Sequence, residues 1–240
     1  MKQSLRLLIT PLALAIALAV VVAWAHRGAA GAEVDVLATG KLAERIREHV
    51  ALCAVSTALA ILAAVPAGIA ATRPGLRRLA APLLFAANIG QSVPTIAVLA
   101  LAFSVTGIGF RAAVVGLWPY SLLPVLRNTV AGLGGVDPAT VEAARGMGMS
   151  PAQVLWRVEL PLAWPVLLAG IRTAAVVNVG TAALATFVGA GGLGELITVG
   201  LDNQRDRVLY TGAALTALLA LAVDWGLGAV AALTTAGRRR

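Results

Sequence analysis

The stretch DPATVEAARGMGMSPAQVLWRVELP, residues 137–161, interrupts a chain that is otherwise strongly apolar. It opens with a helix start, because Asp137 supplies an N-cap acceptor and Pro138 follows at the first helical position. Gly148 then offers the left-handed conformation that ends a helix. The pattern predicts a short helix between Asp137 and Gly148, too short and too polar to cross a membrane.

A second helix start follows at once. The run Ser-Pro-Ala-Gln at 150–153 supplies an N-cap, a proline at the first helical position and the glutamine of a capping box. We expect this helix to end near Leu160 and Pro161, because a proline inside a helix removes a hydrogen bond. Residues 137–161, named the hairpin loop below, are therefore predicted to form two short helices joined at a glycine.

Two short helices joined in this way form a compact knob that is suited to enter a groove on another protein. Ala143 and Ala144 leave one surface low enough for close contact, and Glu142 offers a charge that could fix the register. From these residues alone, an ordinary structured loop is the favoured explanation of the pattern.

The composition of the whole chain is that of a membrane protein. Of its 240 residues, 59% are hydrophobic and 12% are charged, whereas soluble domains carry about 25% charged residues. We predict an all-α fold, a polytopic transmembrane helical bundle of about six spans. The predicted spans are 7–25, 50–71, 80–104, 112–131, 162–187 and 208–233.

The net charge of +8 is explained by topology. With the N-terminus in the cytoplasm, the whole excess of positive charge falls on the cytoplasmic side, as the positive-inside rule requires. Both termini are therefore predicted to be cytoplasmic, and no nucleic-acid partner is needed to account for the basic charge.

We divide the chain into three parts. Residues 1–49 hold the first span, an outer linker and an interfacial helix, residues 50–233 form the transmembrane domain, and residues 234–240 are a basic cytoplasmic tail. The first span has the flanking charges of a signal peptide, but its apolar run of about 19 residues is long for one. A retained span is favoured, and a cleaved one stays open.

Predicted span three carries a group of polar residues near the middle of the membrane. Pro94 lies within this group and predicts a kink or a break in the helix. The group either lines a translocation path or packs through interhelical hydrogen bonds. The candidate path residues, including one in span five, are Asn88, Gln91, Ser92, Thr95 and Asn178.

Two charged residues lie inside predicted spans. Arg172 and Asp224 are each about 14 Å from the predicted cytoplasmic end of their span. Because an isolated charge at such a depth costs at least about 2.5–3.5 kcal/mol, we predict that they pair and that spans five and six are adjacent. The alternative is that each lines a wet cavity separately.

Catalytic, metal and nucleotide sites find little support in the sequence. Cys53 is the only cysteine, and neither His26 nor His49 has a cysteine or carboxylate cluster beside it. Gly189–Gly194 matches G-x-G-x-x-G, but it follows a predicted membrane span rather than a strand, and no Walker A sequence is present. We expect no catalytic residue, no metal site and no cofactor bound by this chain.

The hairpin loop resembles the EAA motif of type I ABC importer permeases. Glu142-Ala143-Ala144, Gly148 and Leu160-Pro161 match its specified positions, with Val158 in place of the usual isoleucine. Through the C-terminal two thirds, segments 135–138, 142–149, 158–162, 169–173 and 189–194 resemble the osmoprotectant branch of that family.

This resemblance implies a type I importer permease in the cytoplasmic (inner) membrane of a bacterium, whose substrate is an osmoprotectant such as glycine betaine, choline or carnitine. It implies a second permease subunit, identical or paralogous, two ATPase subunits that bind ATP and magnesium, and a separate extracytoplasmic binding protein. It also implies that the hairpin loop docks on the ATPase. The residues implied in this coupling are Glu142, Ala143, Ala144, Gly148, Leu160 and Pro161.

Two other classes of function compete with this interpretation. A channel or secondary transporter would couple to ions through Arg172 and Asp224, but secondary transporters usually show inverted repeats with matching broken helices, and only one broken span is evident. A membrane-embedded assembly factor would leave the Glu-Ala-Ala spacing unexplained.

Overall fold

The structure is a computed structural model that describes residues 2–236, with side chains described for residues 9–234. Every regular element within that part is helical, which confirms the predicted all-α class. Residues 237–240 of the predicted basic tail lie outside the described residues. The α-helices are α1 Lys2–Arg27, α2 Ala32–Val36, α3 Thr39–Thr72, α4 Ala80–Ser92, α5 Thr95–Thr106, α6 Phe110–Gly134, α7 Pro138–Gly146, α8 Pro151–Val154, α9 Leu160–Thr181, α10 Leu193–Asp202 and α11 Asp206–Ala236.

Four helical segments are long and apolar enough to cross a membrane, and α4 with α5 makes a fifth if the bent pair counts as one span. The four are Ile9–Arg27, Thr39–Thr72, Pro151–Val188 and Asp206–Thr234. The sequence predicts about six, and the difference lies at 112–131, where α6 carries two arginines and two prolines. Because α6 packs against both α3 and α9, it needs no continuous apolar surface toward lipid.

Predicted span three is broken at Pro94. Helices α4 and α5 meet there at an angle of 95°, so the predicted kink is confirmed. Pro94 leaves the helical ladder locally open, and the Val93 carbonyl accepts a hydrogen bond from the Tyr120 hydroxyl of α6. In return, Gln91 Nε2 donates to the Tyr120 carbonyl at 2.7 Å. One carbonyl at the break and one in α6, whose usual donor position is occupied by Pro124, are thus satisfied by protein groups, as a membrane interior requires.

The second helix of the hairpin loop does not end at Leu160 and Pro161, so that prediction is wrong. Helix α8, a π-helical turn at Leu155–Glu159 and α9 continue as one helical segment. Pro161 has no N–H for the carbonyl four residues back, and its ring displaces that carbonyl. The π turn, in which the Leu160 N–H donates to the Leu155 carbonyl, absorbs this mismatch without a break.

Helices α6 and α9 approach each other closely at glycines. A Cβ on Gly170 would lie 2.5 Å from Asn128 Cβ and 2.7 Å from the Pro124 carbonyl oxygen. A Cβ on Gly132 would lie 2.8 Å from Leu167 Cδ1. Small residues are needed here because helices in lipid associate by close packing rather than by the hydrophobic effect.

We expect Gly170→Leu to destabilise the protein by about 1–3 kcal/mol, because the added atoms overpack the α6–α9 contact. Gly180→Leu on the same helix should cost far less, since a Cβ there meets nothing within 4 Å. Thermal unfolding of the detergent-purified variants measures the difference. Equal midpoints would mean that α6 and α9 do not cross at Gly170.

Candidate functional site

The hairpin loop is held in shape by local capping. Asp137 Oδ1 accepts from the Ala139 N–H at 3.1 Å and caps α7. At the other end of α7, Gly148 has φ +82°, Met149 N–H donates to the Ala144 carbonyl, and Gly148 N–H donates to the Arg145 carbonyl. These two bonds are those of a Schellman motif, so the predicted glycine stop is confirmed.

The capping box at the start of α8 is also present. The Ser150 N–H donates to Gln153 Oε1 at 2.8 Å, and the Gln153 N–H donates to Ser150 Oγ at 3.3 Å. Because both helix starts and the intervening stop are satisfied by neighbouring residues, the loop has its own rigid geometry.

The loop presents a mixed charged and apolar surface. Glu142 and Ala143 are exposed, and no hydrogen bond or ion pair of Glu142 is found among the described residues. Met147 is 71% exposed and Trp156 is 68% exposed. Sequence reasoning missed these two, although large apolar side chains on a polar loop are a recognisable signal of an interaction site.

Other residues implied in coupling are turned away from solvent, Ala144 in α7, which packs against α8 and the π turn, and Leu160 toward the bundle. Ala144 is buried, and Leu160 packs against the buried cluster of Leu133, Ala163 and Leu167. Pro161 follows Leu160 at the start of α9. The structure therefore separates an exposed part of the loop from a part that joins it to the bundle.

The candidate path residues are divided between two places. On α4, Asn88 and Ser92 lie one turn apart and are exposed, with Ser92 Oγ donating to the Asn88 carbonyl and Arg127 Nη2 donating to Asn88 Oδ1 at 3.3 Å. Gln91 is turned toward α6, and Thr95 begins α5.

Asn178 lies apart from this group, fully buried between α9 and α3. Its Nδ2 donates to Ser56 Oγ at 2.5 Å and to Thr57 Oγ1 at 3.0 Å. The structure thus brings Asn88 and Ser92 together but does not bring Asn178 to them, and lining of a path by these residues stays a prediction.

Arg172 and Asp224 form the predicted ion pair. Arg172 Nε donates to Asp224 Oδ1 and Nη2 donates to Oδ2, both at 2.5 Å, which joins α9 to α11 in a bidentate contact. The pair lies between two grooves of about 620 Å³ and about 560 Å³, one of them also lined by α1. The bidentate geometry satisfies both charges inside a predicted membrane region.

A second polar contact, unforeseen from the sequence, lies in the N-terminal third of α3, away from the hairpin loop. His49 is fully buried. Its Nδ1 accepts from the Leu193 N–H at 3.2 Å, so the protonated Nε2 donates to the Val179 carbonyl at 2.9 Å. Both ring nitrogens are used by the backbone, and no cluster of potential metal ligands occurs among the described residues.

The neighbouring Glu48 completes this contact. Its Oε2 accepts from the Gly192 N–H at 2.8 Å, and Arg45 bridges Glu48 and Glu195. The glycine-rich segment follows a 3-10 helix, Ala182–Val188, rather than a strand. It therefore lacks the βαβ context of a dinucleotide site and serves as a turn held by α3.

Comparison with known proteins gives consistent matches. Residues 64–234 match the family described as binding-protein-dependent transport system inner membrane component. The chain is 40% identical over 202 residues to the choline transport system permease protein OpuBB of Bacillus subtilis, covering 84% of this chain and 92% of the relative. It is 44% identical over 192 residues to the osmoprotectant import permease protein OsmY of Salmonella typhimurium, covering 80% and 79%.

The fold has matches among solved structures as well. A chain of the MetNI methionine ABC transporter, in an inward-facing conformation, superimposes with a TM-score of 0.71 at 26% identity. The match covers 80% of this chain and 95% of that chain. This likeness confirms the predicted architecture of a type I importer permease.

We expect Arg172→Leu to destabilise the bundle by about 2.5–3.5 kcal/mol, because it leaves the Asp224 carboxylate without its partner inside the predicted membrane region. The double variant Arg172→Leu/Asp224→Leu should recover much of that loss, since it leaves no unpaired charge. The yield of monodisperse membrane-extracted protein and its unfolding midpoint measure both effects. Absence of any recovery would show that the two side chains do not depend on each other.

Proposed function

The chain belongs to the family of binding-protein-dependent transport system inner membrane components, and we propose that it is the permease subunit of an ATP-driven osmoprotectant importer. The observation that carries the proposal is the hairpin loop, a capped knob with exposed Glu142, Met147 and Trp156. Because the loop is continuous with α9, a force applied to it is applied directly to a membrane helix.

The substrate class follows from the relatives, whose names specify choline, osmoprotectants, and glycine betaine with carnitine and choline. Quaternary ammonium groups are recognised by several aromatic faces. This chain has five Trp, two Tyr and four Phe, most of them scattered near the ends of the predicted spans. We infer that selectivity resides mainly in a separate binding protein and that the permease provides a weaker passage.

The proposed assembly contains two permease subunits, two ATPase subunits and one extracytoplasmic binding protein. ATP and magnesium are held by the ATPase subunits, and the hairpin loop faces them on the cytoplasmic side. This orientation agrees with the positive-inside excess of charge, and it places the Glu48–Gly192 contact on the outer side.

Transport in this proposal is alternating access driven from the cytoplasm. Closure of the ATPase dimer displaces the hairpin loop, α9 moves with it, and the bundle opens toward the outer side. The exposed polar face of α4, with Asn88 and Ser92, is the part of the proposed path that the described contacts support best. Differential contacts of the ATPase with the two states supply the coupling.

We expect Glu142→Lys and Gly148→Asp each to abolish substrate-stimulated ATP hydrolysis by the assembled importer. The first reverses the exposed charge of the loop. The second adds a charged side chain where a Cβ meets nothing within 4 Å of its own chain, and it strains the left-handed backbone at φ +82° that ends α7, so it changes both the charge and the local shape of the loop. Hydrolysis is measured in proteoliposomes with and without the liganded binding protein.

Gly75→Asp controls for the added charge alone, because Gly75 does not have the positive φ of Gly148. Gly75 lies in the turn after α3, and a Cβ there also meets nothing within 4 Å, so the variant adds the same charge at another exposed glycine. Full stimulation in Glu142→Lys and Gly148→Asp, as in Gly75→Asp, would remove the loop from the mechanism.

The substrate and the need for an ATPase are tested together by uptake of radiolabelled choline, glycine betaine and carnitine. We expect accumulation of at least one solute against a gradient only when the ATPase subunits and the liganded binding protein are present. Accumulation by the permease alone would favour a secondary transporter, and failure of all three solutes in the complete system would contradict the substrate class.

A further inference from the structure

Among the acidic side chains that the structure describes, that of Glu159 is the buried one, with 7% exposure. It ends the π turn at the base of the hairpin loop, and its Oε2 accepts a hydrogen bond from Arg73 Nη2 at 2.7 Å. A buried carboxylate is tolerated only with a close partner. The loop is therefore joined to the end of α3 by a charge contact that cannot be lost without consequence.

Arg73 is fixed to α3 by its other contacts. Its Nε donates to the Ile69 carbonyl at 3.3 Å, and its Nη2 also donates to Thr72 Oγ1 at 3.1 Å. Carbonyls in the last turn of a helix lack intrahelical partners, and the C-terminal end carries partial negative charge. The guanidinium thus caps α3 and holds Glu159 at the same time.

Apolar side chains surround the joint. Ile69 of α3 and Leu155 and Leu160 of the hairpin loop pack against one buried cluster, which includes Leu133 of α6. This apolar packing holds the elements together but does not fix their relative orientation. The ion pair does so, because it holds the Glu159 carboxylate at a defined position relative to the end of α3.

Arg73 is also the first residue of the turn that leads to α4. The Leu76 N–H donates to the Arg73 carbonyl at 3.0 Å, a 3-10 turn follows at Arg77–Leu79, and α4 begins at Ala80. A displacement of Arg73 is therefore delivered to two membrane helices, α3 and α4, neither of which is continuous with the hairpin loop.

We propose that the Arg73–Glu159 ion pair is the positioning contact through which movement of the hairpin loop passes to α3 and to the turn into α4. The inference rests on the proposed function, because it takes the loop as the element that the ATPase moves. It adds a second route to the first: α9 moves because the loop continues into it, and α3 and α4 move because Arg73 follows Glu159.

A merely structural role has a different signature. Apolar residues of similar volume often replace a buried ion pair without loss of stability, so stability alone does not explain a charge at this position. A positioning role instead predicts that the complex assembles normally while the stimulation of ATP hydrolysis by substrate is lost.

The test uses the permease purified with its ATPase subunits and reconstituted in proteoliposomes. For Glu159→Gln, which removes the buried carboxylate and leaves only the more exposed Arg73 without its partner, we expect normal recovery of the complex and a loss of binding-protein stimulation of ATP hydrolysis on the order of tenfold, within the usual range of coupling between sites. Solute accumulated per ATP hydrolysed should fall as well. Arg73→Gln should also lose the stimulation, with a lower yield of complex because Glu159 stays buried without its partner, and Arg73→Lys, which keeps the charge, should retain most of the stimulation.

Arg77→Gln is the matched control. It removes the same charge from the same turn, but Arg77 is exposed and has no ion pair among the described residues. It should therefore leave both hydrolysis and transport unchanged.

Three outcomes overturn the proposal. Stimulation in Arg73→Gln equal to that in Arg77→Gln would show that the pair transmits nothing, and the proposed function would stand as long as Glu142→Lys still abolishes stimulation. Loss of the assembled complex in both Arg73→Gln and Arg73→Lys would show that the pair only holds the fold. Full stimulation in Glu142→Lys would remove the proposed function itself, and the inference with it.

Discussion

The structure depends on a helix that continues past Pro161 without ending there. Backbone polar groups in a membrane must be satisfied within the protein, and a proline at this position would ordinarily end the helix and leave carbonyls exposed. The π turn at Leu155–Glu159 keeps the ladder closed by shifting it one residue. As a result the hairpin loop and α9 are one mechanical element rather than a span with an attached loop.

The same requirement explains which polar groups of the bundle form hydrogen bonds between helices. At the break at Pro94, the Val93 carbonyl accepts from the Tyr120 hydroxyl, and Asn178 Nδ2 donates to hydroxyls of α3. These groups are thereby engaged in holding helices together. Among the predicted path residues, Asn88 and Ser92 keep exposed side chains. The surface of α4 is therefore the one best suited to line a passage for a polar solute.

Sequence reasoning succeeded where the signal is local or the energetic cost is large. The caps at Asp137, Gly148 and Ser150 involve neighbours in the chain, and an unpaired Arg172 would be too costly at its depth. It failed where the partner is remote in sequence, as for Arg73 and Glu159. The prediction at Pro161 was wrong because a proline ends an isolated helix, whereas a packed helix can accommodate a proline by forming a π turn with one extra residue.

The contacts of α3 indicate which helices move together. In the N-terminal third of α3, Glu48 and His49 accept from the N–H groups of Gly192 and Leu193, and beyond its C-terminal end Arg73 holds Glu159. Helix α3 is thus held at two levels to the stretch of chain that contains α9, and in the proposed mechanism a displacement of that stretch would carry α3 with it. Helices α4 and α5 are joined to α3 by a turn and are bent by 95° at Pro94. The change of angle that opens or closes a passage is therefore most easily accommodated between them.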